Sequence, residues 1–188
     1  MKSMAMIGDA MPVAVEPAGR RNAIREYRMP AKVFHWLTVG LVFFMVATGV
    51  TATQLGEGRF ADVLFELHRM TGAVTLVVVL ARLIYRLARS MPPPLNRSWS
   101  RPVLHWTLYG IVVLVPLLGW AGASDYGHTE IPFGYVLPPI FPQDTGFGEL
   151  LLRLHAYIAF TLLALVVLHI GAAMHDYMTS EPPAEPGE

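Results

Sequence analysis

The stretch LHAYIAFTLLALVVLHIGAAMH, residues 154–175, decides the fold. It contains no Asp, Glu, Lys or Arg and is long enough to cross a hydrocarbon core of about 30 Å as a helix. Inside it, His155 and His169 lie fourteen residues apart. That spacing is a rise of roughly 21 Å that returns to nearly the same helix face. One helix therefore offers two imidazoles at two depths of a bilayer, where ionisable groups are costly and point to function.

Three further runs complete the pattern. The stretches near 33–55 and 102–124 are uncharged, and the one near 63–86 has an uncharged centre, with Glu66 and Arg69 near its start and Arg82 near its end. The fourth span, built around the opening stretch, is placed at 150–175. The composition agrees: 54% hydrophobic residues and a mean hydropathy of +0.45 are too apolar for an ordinary water-soluble domain. Lys plus Arg and Asp plus Glu number fourteen each, so net charge favours neither nucleic acid nor an acidic substrate. The absence of cysteine excludes disulfides, thiolate metal sites, Fe–S clusters and covalent haem attachment through C-x-x-C-H.

The expected fold class is all-α, an integral membrane four-helix bundle with cytoplasmic N- and C-termini. Direction comes from the basic residues. Eleven of the fourteen, including Arg20, Arg21, Arg25, Arg28, Arg82, Arg86 and Arg101, fall on the side of the termini, against Arg59, Arg69 and Arg153 on the other. The bundle domain is expected over residues 28–178, flanked by mobile tails at 1–27 and 179–188. A cleaved leader is the rival reading of the first span, but its apolar run is long and VTAT at 50–53 is a poor cleavage site. The loop over 125–149 holds turn-forming residues and a short interfacial segment.

The histidines sort by depth. His35, at the start of span one, shares a level with His169; His68, one turn into span two, shares the other with His155. Two such pairs could each grip a porphyrin from both faces, since imidazole is a common axial ligand of haem iron. An isolated histidine in such a place is more simply an interfacial group bonded to a carbonyl or to headgroup water. His105, at the start of span three, also lies at the level of His169, so depth alone leaves His35 and His105 both open as its partner. His128 is in the loop, and His175 lies about 240° around the helix from His169, away from that face. A metal permease would be expected to place carboxylates or thiolates in the spans, whose centres have none.

At these residues the chain resembles the prokaryotic cytochrome b561 family. The matching stretches are FHWLTVGLVFFMVATG (34–49), LHRMTGAVTLVVVLARLIYRL (67–87) followed by Pro92 to Pro94, LHWTLYGIVVLVPLLGW (104–120), FGYVLPP (133–139) and LHAYIAFTLLALVVLH (154–169), in that order. The resemblance implies two non-covalent haem b groups with His35, His68, His155 and His169 as axial ligands, and it favours His35 over His105. It also implies a multi-pass protein of the bacterial inner membrane linked to respiratory electron transport, with quinone as a partner and an unidentified redox donor. One departure is the end of span four, Met174, His175, Asp176 and Tyr177, where relatives often carry adjacent histidines; no quinone or proton role is assigned to that corner.

Iron with histidine on both faces suits passage of single electrons. The expected function is a dihaem carrier between a donor and the ubiquinone pool, for example from superoxide. The alternatives are a haem-bearing anchor subunit of a larger dehydrogenase or hydrogenase and a haem-free transporter or scaffold. Arg69, beside His68, is a candidate to pair with a haem propionate or to reach the headgroups. Gly40, Gly49, Gly72, Ala73 and Gly171 to Ala173 fit porphyrin packing and ordinary helix contact equally. Trp36, Trp106 and Trp120 suit interface anchors, and Tyr109 and Arg101 lie where a quinone pocket could border the inner haem.

Overall fold

The computed structural model describes residues 18–88 and 100–179, with side chains placed from residue 29 onward except at 100–102, 133 and 176. Four long helices carry the chain: α1 (Ala18–Leu55), α2 (Arg59–Ala88), α3 (Ser100–Asp125) and α4 (Gly148–Thr179). Each contains a segment long and apolar enough to cross a membrane. α1 starts at Ala18, well before the apolar run, so part of the segment expected as a tail is helical. Arg89, Arg97, Pro92 to Pro94 and residues 180–188 lie outside the described residues.

The bundle is built inside out relative to a water-soluble protein. Large apolar side chains face outward, among them Phe43 at 58%, Val77 at 67% and Val167 at 68% exposure, as lipid-facing residues must. The interior holds small and hydroxylated side chains: Ala52, Ala61, Leu76, Val79 and Leu162 with Thr38, Thr48, Thr71, Thr75 and Ser124. Small residues let backbones approach where lipid removes the hydrophobic drive for helix pairing. Several of the buried hydroxyls are satisfied within their own helix: Thr38, Thr48 and Thr75 donate to carbonyls four residues back at 2.7–2.9 Å.

Among the described residues α1 runs close along α2, α3 along α4, and α2 with α3 joins the two hairpins, while the backbones of α1 and α4 stand further apart. The α1–α2 turn is tight, with Gly56 at φ 71° and Gly58 at φ 136°, conformations that suit glycine.

The α3–α4 connection is folded down on the bundle. Its two short strands, β1 (Glu130–Ile131) and β2 (Tyr135–Val136), pair antiparallel with Glu130 opposite Val136. Arg69 Nε of α2 donates to Glu130 O at 3.1 Å, and Trp120 Nε1 donates to Pro138 O at 3.1 Å. Buried Asp125 ties the far end: its carboxylate accepts from Thr145 N at 2.9 Å, from Thr145 Oγ1, and from Gly148 N at 2.9 Å. The last bond satisfies an amide of the first turn of α4.

Candidate functional site

His68 of α2 and His155 of α4 meet at the end of the bundle that carries the folded loop. Their ring centroids are 5.9 Å apart and their planes cross at 84°. An imidazole nitrogen sits about 2 Å from a metal it binds, so two rings gripping one metal from opposite sides have centroids roughly 6 Å apart. Each ring is also held by its other nitrogen. His68 Nδ1 donates to Met45 O at 3.0 Å, with Thr48 Oγ1 at 3.4 Å, and His155 Nδ1 donates to Val115 O at 2.8 Å. A carbonyl only accepts, so in both rings Nδ1 carries the proton and Nε2 keeps the lone pair that binds metal. The donor set and tautomers therefore fit the axial ligation of a haem.

At the other end three histidines gather. His105 of α3 and His169 of α4 are in ring contact, centroids 5.1 Å apart at 87°. His35 of α1 lines the same open cleft as His169, about 320 Å³, with Ile170, Ala173, Met174 and Tyr177 from α4. That volume is within the roughly 300–1,000 Å³ of small-molecule and cofactor sites. His35 differs from the loop-end pair in its second nitrogen: Arg82 Nη2 donates to Nδ1 at 3.1 Å, which leaves the proton on Nε2 of a neutral ring. Binding iron through Nε2 requires Arg82 to release that nitrogen. Arg82 and Arg86 also lie over the ring of Tyr109 at 5.2 and 5.0 Å, and Arg86 over Trp106 at 5.2 Å.

Among the described residues no group of three or more His, Cys, Asp or Glu converges to cage a metal ion. A structural zinc centre gathers four such donors, whereas a tetrapyrrole supplies four of its own and asks the protein for two. His128 stacks on Tyr126 in the loop and His175 is exposed, so neither joins a pair. Arg69, adjacent to His68, is engaged through Nε with the loop, and Glu66, Glu130 and Asp62 surround it with acid.

Of the small residues singled out in the sequence, Gly49 lies against the His68 ring and Gly72 against Met45, while Gly40 and Gly171 face open space. Gly119, against His155, escaped that reading. A repeat would have found it: His35, Trp36, Gly40 and Gly49 of α1 recur at identical spacing as His105, Trp106, Gly110 and Gly119 of α3. In α2 and α4 the repeat aligns His68 with His155 and places Arg82 where α4 has His169.

Four apolar helices with pairs of imidazoles between them define a helical membrane protein of the kind that can seat a metal-bearing cofactor. The family model for prokaryotic cytochrome b561 matches residues 26–180, and the chain belongs to that family. It is 24% identical over 169 residues to cytochrome b561 homolog 2 of Escherichia coli, covering 85% of this chain and 89% of that one. It is 21% identical to a probable superoxide oxidase CybB of Yersinia pestis, covering 78% and 86%. With a probable Ni/Fe-hydrogenase B-type cytochrome subunit of Rhodobacter capsulatus it shares 23% identity, over 93% and 83%. At the family level it is a membrane-embedded electron-transfer protein, multi-pass in the bacterial inner membrane.

Proposed function

We propose that the chain is a dihaem cytochrome that carries single electrons across the inner membrane between a donor and the ubiquinone pool. His68 and His155 hold one haem b, and His35 and His169 hold the second. The observation that carries the reading is the pair His68 and His155, whose spacing and Nδ1–carbonyl bonds leave two metal-binding nitrogens at one depth. For the second pair, the support is the cleft that His35 and His169 both line, between two helices whose backbones stand apart among the described residues.

The bound iron would supply a one-electron couple with no open coordination position. The protein's part is to fix the rings. Met45 O and Val115 O hold the loop-end imidazoles and strengthen them as donors. Arg69 has its Nε on Glu130 O and offers its guanidinium to a propionate at that level. Arg82 and Arg86 place positive charge near the other level, and with the basic N-terminal segment they favour a cytoplasmic location for both termini.

The test is haem quantitation as the pyridine haemochrome, with each of the four histidines replaced by alanine. The wild-type chain should hold about two haems, and each variant about one. His35→Ala and His169→Ala should lose the same haem, and His68→Ala and His155→Ala the other. Full haem content in all four variants would end the reading. A second role, as a haem-bearing subunit of a larger enzyme, draws on the relative named as a hydrogenase cytochrome subunit. Stoichiometric copurification with a catalytic partner would favour it.

A further inference from the structure

We propose that Gly49 and Gly119 are paired positioning residues that set the orientation of His68 and His155, by leaving a gap in the neighbouring helix into which each imidazole lies. The inference rests on those two histidines being haem ligands, and its experiment separates the two claims.

The two hairpins use the same arrangement. A Cβ built on Gly49 would stand 2.9 Å from His68 Cε1 and 3.0 Å from Nδ1; on Gly119 it would stand 2.9 Å from His155 Nδ1 and 3.0 Å from Cε1. In each case the carbonyl that accepts from Nδ1 belongs to the residue four before the glycine: Met45 for Gly49, Val115 for Gly119. Helix geometry explains the coincidence. A helical carbonyl points along the axis toward the residue four further on, so a side chain that reaches it from outside must pass over that residue's Cα. Any Cβ there blocks the path.

Neither ring can easily yield. Each is fixed by its Nδ1 bond, unlike the flexible end of Met45, whose Cε lies opposite Gly72. Glycine in a helix interior is otherwise unfavourable relative to alanine. Its presence at both positions therefore marks a gap the rings need. The repeat also provides a control: Gly110 of α3, nine residues before Gly119, has nothing within 4 Å of a Cβ built on it.

The experiment uses the full-length protein purified in detergent. Gly49→Ala and Gly119→Ala are compared with Gly110→Ala for haem per chain, the low-spin electron paramagnetic resonance signals, and the midpoint potential of each haem. The first two should disturb the signal and potential of one and the same haem, or lose it, and the control should match wild type. Melting temperature is then measured for Gly49→Ala, His68→Ala and the double variant. Alanine at 49 should be destabilising only while the imidazole is present, and harmless or stabilising once His68 is alanine. Wild-type spectra and potentials in Gly49→Ala and Gly119→Ala would overturn the proposal. So would a double variant that is less stable than His68→Ala. Retention of both haems by His68→Ala would reject the ligand assignment, and because haem content then does not differ between the variants, the melting comparison would still measure the gap.

Discussion

The guanidinium of Arg82 stands 3.1 Å from Nδ1 of His35, whereas Nδ1 of His68 and of His155 each faces a backbone carbonyl. The two ends of the bundle therefore place opposite electrostatics behind their imidazoles. Positive charge near an iron favours its reduced form. Arg82→Gln should accordingly lower the midpoint potential of the haem that His35→Ala removes, and leave the other unchanged. At an effective dielectric near 20 and about 10 Å, the effect is roughly 1 kcal/mol after screening. For one electron that is about 40 mV. Redox titration of the visible absorption bands measures it, and an upward shift or none would refute the assignment of Arg82 to that haem.

His105 touches the ring of His169 within the α3–α4 hairpin, while His35 approaches from across the open cleft. His105→Ala should retain both haems with a changed environment at one, and His35→Ala should retain one. Haem quantitation decides, and the reverse pattern would make His105 the ligand.

Arg69 binds the loop through Glu130 O and adjoins a ligand. Arg69→Gln should speed transfer of the loop-end haem to an apoprotein acceptor several-fold, corresponding to about 1 kcal/mol for a half-exposed charge pair. Unaltered transfer rates would confine Arg69 to holding the hairpin.

Asp125 gathers the amides of Thr145 and Gly148 at the start of α4. Asp125→Ala should raise hydrogen exchange at those two amides by roughly tenfold or more, since both lose their acceptor. Exchange in the centre of α3 should not change. Mass spectrometry of peptides covering 140–150 reads the difference.

Hydropathy revealed the four helices because lipid constrains composition over twenty residues at a time, and the histidine levels followed from helical rise. The start of α1 was less legible, since residues 18–27 form helix without an apolar run to announce it. Arg82 reads in sequence as a residue reaching for the interface; only the packing of α1 on α2 brings it to His35. The Asp125 clamp depends on partners twenty or more residues away, which no local pattern records. Gly119 was legible, but through comparison of α1 with α3 and not through its own neighbourhood.

The wider separation of the α1 and α4 backbones among the described residues bears on how a cofactor is held. With the hairpins closest along α2 and α3 and meeting again at His68 and His155, the cleft beside His35 and His169 stays open along one flank, like a book ajar. A flat guest seated between the covers would draw them together and become part of what holds the two hairpins closed.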